Sequence, residues 1–487
     1  MRARTPSFVL ELKLNTSKAD KLVLDQRFEY ACRIYNVLVR HCRKQLFRLL
    51  SDKEYRHWWG LLWRNPSEQE RKVINAKLAE IRAKYGLTEY ALHAYVVKQQ
   101  HRYQRHIDSN TAQKVATEAW SSVSDYLFSD GKEMPFKRVS SFMSVEGKNN
   151  TAGIRFKDGK LHWLGLKIYP KIDKSDLYAQ LALTRRAKYC RILRRKMGTG
   201  YHYYLQLILE GIPPQKHAVG TGRCGIDIGP STIAIVTDHS CELEMLGDGA
   251  KRYQEQIAEL ERQMDRSKRA TNPDNYLPDG TIRKGRIKWR YSKNYRVLRQ
   301  RKAVLERKDT ALLKQAHEIR VNKLLAHADE IYVENMDMAG LAERSKADRV
   351  DANGHPMRKK RYGKSIENNA PSRFLAILNR KLQYQNKVLL KVDTTKFRAS
   401  QYNHVSDTYI RKTLDERSMR VGNYLMQRDL YAAFLLMNSK PDLESPDRAR
   451  CNNSFAAFVV EHDKCIEALL NSKREYPSSF GLVDFAA

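Results

Sequence analysis

Apolar and polar residues alternate at the start of the chain. Phe8, Leu10, Leu12 and Leu14 fall on one side and Glu11 and Lys13 on the other, which predicts a strand with one buried face. Asn15 to Asp20 is turn-like. The period then lengthens, and Leu24, Phe28, Cys32, Tyr35 and Leu38 form one stripe of a long helix over Leu22 to Leu50. Asp52 to Tyr126 continues as charged helices carrying Trp58, Trp59, Trp63, Tyr95, His101, Tyr103 and His106 among Lys and Arg. Aromatic residues interleaved with cations suit either a helix-bundle core or nucleobase stacking. From Met134 the period shortens again. Thr151–Phe156, Lys160–Leu164, Tyr189–Arg194 and Tyr201–Leu209 read as strands. With the N-terminal strand they predict a β-barrel-like module into which the helical block is inserted. Pro213-Pro214 then reads as a linker.

The second half opens on Gly225-Ile226-Asp227-Ile228-Gly229. Two isoleucines predict a buried strand face and place Asp227 on the other. Gly229-Pro230 turns the chain into a second strand, Ile233–Val236, so an acid sits in a β-hairpin at the head of an α/β domain. Lys251–Lys268 and Asn294–Ala328 are long basic helices interrupted by a loop over Thr271–Gly285. Ile331-Tyr332-Val333-Glu334-Asn335 repeats the strand pattern with Glu334 facing away from the apolar side. Arg344–Ala370 is a Lys/Arg-rich loop too polar for a core. Ser372–Lys387 reads as a helix with Phe374, Ile377, Leu378 and Leu382 on one face, and Val388–Val392 as a strand. Gln427-Arg428-Asp429-Leu430-Tyr431-Ala432-Ala433 sets an aspartate at the start of an apolar helix. Ala456–Leu470 is a further helix, followed by a Pro/Ser-containing end expected to be disordered.

Composition narrows the partners. In 487 residues there are 89 Lys and Arg against 55 Asp and Glu, a formal net charge of +34. The excess is spread along the chain, as expected for a surface that meets an extended polyanion such as nucleic acid. No apolar run approaches the ~18 residues of a membrane span, and the N-terminus lacks a signal-peptide core. Seven scattered cysteines without C-x-x-C spacing read as reduced core thiols, and together these features suggest a cytoplasmic protein.

Taken singly, Asp227 would be a turn residue, Glu334 a strand-end residue and Asp429 a helix cap. In this order, from two strands and a late helix, they are the carboxylates that an RNase H-type nuclease needs. One bridges two divalent cations about 3.5–4 Å apart and the others hold one each. Oxygen-only donors suit Mg²⁺.

These residues resemble TnpB and the compact type V CRISPR effectors. The resemblance runs from Phe8 to Asn438. It is carried by Gly225–Gly229, Val333-Glu334-Asn335-Met336 and Arg428–Ala433, with Ser400-Gln401 and Cys32-Arg33-Ile34-Tyr35-Asn36 in support. It implies a multidomain α+β chain: an RNase H-like (RuvC) α/β nuclease domain and a β-barrel wedge domain with an inserted helical recognition lobe. The expected boundaries are 1–14 and 134–215 for the wedge, 15–133 for the recognition lobe and 220–394 for the nuclease domain. A zinc-finger-like insert would cover 395–426, the third-motif helix 427–440 and a partly disordered extension 441–487. Asp227, Glu334 and Asp429 would be the catalytic carboxylates and would bind two Mg²⁺ ions. Lys359, Lys360, Arg361, Arg373, Gln401 and Arg428 would contact nucleic acid. The expected partners are a guide RNA and double-stranded target DNA, with no membrane, in a prokaryotic cytoplasm next to the nucleoid.

Two departures stand out. Where the family has two C-x-x-C pairs, this chain has Asn403, Ser406, Ser418 and Val421, so no zinc is expected. Its D-R-D is Q-R-D here, with Gln427 first. The expected activity is RNA-guided DNA cleavage next to a short flanking motif. A nuclease-inactive RNA-guided repressor, or a transposase or resolvase that needs no guide, are the alternatives.

Overall fold

A computed structural model describes residues 6–486 apart from 130, 132, 199, 216–217, 249–251, 344–361 and 414–415. Lys359, Lys360 and Arg361 therefore lie outside the described residues. The chain divides into two units, Met1–Pro214 and Gln215–Ala487.

In the first unit, β1 (Ser7–Leu14) buries Phe8, Leu10, Leu12 and Leu14, as the alternation requires. α1 (Lys18–Ser51) starts at a capping box of Ser17 and Asp20 and buries the stripe from Leu24 to Leu38. α2 (Lys53–Leu61), α3 (Glu68–Lys84), α4 (Glu89–Arg102) and α5 (Ser109–Phe128) complete the helical block. Then follow β2 (Ser144–Glu146), β3 (Arg155–Lys157), β4 (Lys160–Trp163), β5 (Leu166–Ile168), β6 (Pro170–Lys171), α6 (Leu177–Leu183), β7 (Ala187–Met197) and β8 (Gly200–Glu210).

The expected β-barrel is not formed among the described residues. The antiparallel sheet is open, in the order β2-β7-β8-β1-β6, and β3-β4-β5 form a separate three-stranded sheet. Length explains this. The central β7 and β8 have 11 residues each, but the edge strands have three and two. Pro170 also lacks the N–H that a further partner would need.

In the second unit, β9 (Arg223–Ile228), β10 (Thr232–Thr237) and β11 (Cys241–Met245) form an antiparallel meander. α7 (Gln254–Thr271) and α8 (Lys293–Leu325) form a long helical hairpin, after which β12 (Glu330–Glu334) enters the sheet parallel to β9. α9 (Met338–Ala342), α10 (Gly363–Asn369) and α11 (Pro371–Gln383) precede β13 (Leu390–Val392), which is parallel to β12. The sheet order is β11-β10-β9-β12-β13. Ile226, Ile228, Ile331, Val333, Phe374 and Leu378 share one core beneath it.

α12 (Thr394–Phe397) leads into two short hairpins, β14 (Tyr402–Asn403) with β15 (Thr408–Tyr409), and β16 (Ser418–Val421) with β17 (Tyr424–Gln427). α13 (Arg428–Met437) and α14 (Arg448–Leu470) follow. The tail expected to be disordered instead folds back: Phe480 is fully buried and stacks on Tyr476 at 5.0 Å. Among the described residues no helix is long and apolar enough to cross a membrane. Cys32, Cys42, Cys190, Cys224 and Cys451 are buried free thiols.

Candidate active site

Asp227, Glu334 and Asp429 converge at the C-terminal ends of the two adjacent strands β9 and β12 in the second unit's sheet. β9 and β12 run parallel with Ile226 opposite Val333, so Asp227 and Glu334 are adjacent residues of neighbouring strands. The third carboxylate is delivered by packing. α13 lies directly on β9 at Gly225, where a Cβ would come within 2.5 Å of Met437 N and 2.9 Å of the Ala433 carbonyl carbon. Only glycine permits that approach. Asp227 is two residues along the strand from this contact and Asp429 one helical turn before Ala433. Each step covers roughly 6 Å.

Asp429 is not a helix cap. Gln427 does that work, with its Oε1 accepting from Leu430 N at 2.7 Å. The Asp429 carboxylate is left to face its neighbours.

The electrostatics bear the marks of crowded carboxylates. Asp227 keeps partial solvent access, yet burial first and then the charges of Asp429 and Glu334 push its pKa well above the usual carboxylate range. Burial and Asp429 also raise Glu334. Opposing charge comes from two arginines. Arg428 Nε lies 3.2 Å from Asp429 Oδ1 and Arg417 Nη1 lies 4.0 Å from Oδ2. Arg417 was not legible in the sequence. It reaches the site because the Arg428 N–H donates to the Arg417 carbonyl at 2.9 Å.

Among the described residues no three Asp, Glu, His or Cys groups are gathered tightly enough to be a ready-made metal cage. Three mutually repelling carboxylates need added positive charge to draw closer. Their oxygen-only chemistry fits a hard divalent cation.

The expected nucleic-acid contacts divide. Arg373 is exposed on α11 and Gln401 half-exposed after α12. Arg428 is not a surface contact. It is 8% exposed, and its Nη1 donates to the Glu416 carbonyl at 2.9 Å while its Nε meets Asp429. It braces the site from inside.

The four positions that would carry zinc ligands hold an ordinary hydrogen-bonded fold. Asn403 Oδ1 accepts from Val405 N at 3.1 Å and Ser406 N at 3.4 Å, and Asn403 Nδ2 donates to Arg420 O at 3.3 Å. Ser406 pairs with Thr408 at 2.7 Å, Ser418 sits opposite Gln427 in the second hairpin, and Val421 is fully buried. Arg448 of α14 clasps the turn, donating to His404 O at 2.8 Å and Val405 O at 2.9 Å. His404 is buried against Tyr431 Oη at 2.6 Å. The change to Gln427 also has a structural partner: its side-chain amide donates to Phe480 O at 3.4 Å, which a carboxylate could not do.

No family model and no curated protein matches the chain. Solved structures similar to it include a Cas12f1–sgRNA–target DNA complex, with TM-score 0.44 and 10% identity over 90% of this chain and 99% of that one. A CRISPR-Cas12f ternary complex has TM-score 0.26 and 10% identity over 89% of this chain and 99% of that one. At these values the likeness carries no argument, and the chain's function has to be argued from its own side chains.

Proposed function

We propose that the chain is an RNA-guided DNA endonuclease whose second unit is an RNase H-like (RuvC) nuclease domain. The observation that carries this reading is the convergence of Asp227, Glu334 and Asp429, from three distant segments, at the ends of two adjacent strands, where burial and then neighbouring carboxylate charge raise the pKa of Asp227 and Glu334. The sheet order, an antiparallel meander followed by two parallel strands, agrees with it.

Two Mg²⁺ ions bound there would supply an activated water and stabilise the leaving oxygen. Asp227, Glu334 and Asp429 would hold the ions, Asp227 being the carboxylate that feels the charge of both others. Burial of Ile226 and Ile228 fixes the strand that presents Asp227. Arg417 and Arg428 orient Asp429 and offset its charge.

Guidance is inferred from what the sequence lacks together with what it has. It carries +34 net charge but no C₂H₂ spacing, basic-zipper heptads or helix-turn-helix signature. A phosphate-binding protein with no long base code of its own reaches a long target by Watson–Crick pairing of a bound RNA. The test is cleavage of a plasmid library with one guide-matched target beside randomised flanks, using protein with its co-purified RNA, RNA-stripped protein and a mismatched guide. Cutting should follow the guide and a short flank. Equal cutting with either guide, or without RNA, would favour the transposase or resolvase alternative.

A further inference from the structure

The tip of the α7–α8 hairpin is a strongly basic feature that the catalytic site does not use. Residues 266–296 contain ten Lys and Arg against two Asp. The segment between the helices is built and not loose. The Asn272 side chain, 7% exposed, donates to Lys268 O at 2.8 Å and Arg290 O at 2.9 Å and accepts from Arg290 N at 2.7 Å. Asn275 Nδ2 donates to Lys288 O at 2.9 Å, and Arg283 N donates back to Asn275 O at 3.0 Å. Ser267 and Ser292 hydroxyls join the two helices at 2.9 Å.

Pinned in this way, the returning segment alternates. Arg286, Lys288 and Arg290 are exposed, while Ile287 and Trp289 turn partly inward. Arg283, Lys284 and Lys293 add to the exposed set. Among the described residues none of these six cations is in an ion pair.

Trp289 and Tyr276 are not free to stack on bases, and the exposed Tyr291 packs one side against Tyr295, ring centroids 4.7 Å apart. Lys268 Nζ sits 3.8 Å over the Trp289 ring, Tyr276 meets that ring edge-on at 5.8 Å, and Arg269 lies 4.8 Å over Tyr276. The faces of Trp289 and Tyr276 hold cations in place. What the cap offers outward is six cations against one exposed ring, Tyr291, a balance that suits a sugar-phosphate backbone more than an unpaired base. Its distance from the carboxylates adds a second constraint. Val321, where α8 enters the sheet's core, is 28 residues beyond Lys293, or about 42 Å of helix. A phosphate held at the cap is therefore not the one being cut.

We propose that this cap is a docking surface for the backbone of a base-paired stem in the bound RNA. The assignment to RNA rests on the RNA-guided function proposed above, in which the RNA is the partner that stays bound through cleavage.

The test compares the full chain with an Arg286→Gln, Lys288→Gln, Arg290→Gln triple variant. Its probes are an RNA hairpin, duplex DNA of equal length and unpaired RNA, each titrated over a range of salt. Hairpin affinity should fall roughly 10-fold or more, and the log–log salt slope should lose about 2–3, at ~0.9 per duplex phosphate contact. Unpaired RNA should be nearly unaffected. An unchanged hairpin slope, an equal loss on unpaired RNA, or a loss confined to duplex DNA would each overturn the proposal. Asn272→Ala, which unpins the segment without changing its charge, should weaken hairpin binding in the same direction, and unchanged binding would count against the geometry. The substituted cations are exposed, so the triple variant should melt like the parent. Guide-directed cleavage by the unsubstituted protein is run alongside. If that fails, the RNA-guided function fails; if it succeeds while the triple variant binds the hairpin normally, only the docking surface is lost.

Discussion

Gly225→Ala should damage the active site without touching a catalytic group. A methyl at this position would lie 2.5 Å from Met437 N and 2.9 Å from the Ala433 carbonyl carbon, both backbone atoms of α13 that cannot rotate away. The Ala433 carbonyl oxygen would lie nearer still; ordinary contacts are about 3.5–4.0 Å, so α13 must lift from β9 by roughly 1–2 Å. Overpacking of this kind costs about 1–3 kcal/mol, which for a unit of this size lowers Tm by about 2–10 °C. The lift also carries Asp429 away from Asp227. A misplacement of about 1 Å in a catalytic group lowers turnover on the order of 10²-fold. The assay is single-turnover cleavage with saturating RNA and DNA, well below the variant's Tm, beside a binding titration. Binding should be retained while cleavage falls. Gly60→Ala is the control: it meets nothing within 4 Å and lies inside α2, so it should be neutral or stabilising by up to about 1 kcal/mol. Parental Tm and cleavage in Gly225→Ala would refute the helix seating and the delivery of Asp429 inferred from it.

Asp227→Ala, Glu334→Ala and Asp429→Ala should each abolish cleavage in Mg²⁺ or Mn²⁺ and spare guide-dependent DNA binding; robust cutting by any one removes that residue from the site. Elemental analysis should find no stoichiometric zinc, and a zinc-selective chelator in the presence of excess Mg²⁺ should leave Tm unchanged. Asn403→Ala, which removes the acceptor of the turn at Val405 and Ser406, should cost about 1–3 kcal/mol in a denaturant titration. His317, fully buried and near Arg320, Arg373 and Arg252, has its pKa pushed down to about 4, chiefly by burial. The unfolded chain therefore takes up this proton first. Stability that is intact above pH ~6.5 should be lost progressively down to pH ~4, by up to about 3 kcal/mol from this residue. His317→Phe should flatten that part of the pH–stability curve, and an unchanged curve would show that His317 is not the source.

The sequence by itself determined the elements whose pattern is local. The alternation of Phe8 to Leu14, the stripe from Leu24 to Leu38 and the isoleucines around Asp227 all bury the faces that their period demands. Each side chain's direction follows from the residues beside it. The three carboxylates of the candidate site stand out in the sequence only as an ordered set, since each alone reads as a turn, strand-end or cap residue. Tertiary structure decided what depends on partners far along the chain. Gly225 matters because Ala433 and Met437 land on it, more than 200 residues later. The sheet of the first unit stays open because its edge strands are too short, which no alternation reveals. Asn403 and Gln427 look like losses of a motif until the turn that Arg448 clasps and the Phe480 tail are seen to use them. Thr271–Gly285 reads as a loop, and only the hydrogen bonds of Asn272 and Asn275 to Arg290 and Lys288 make the tip a surface. Local periodicity fixes which way a side chain points, but what it meets there is set by the packing of the whole chain.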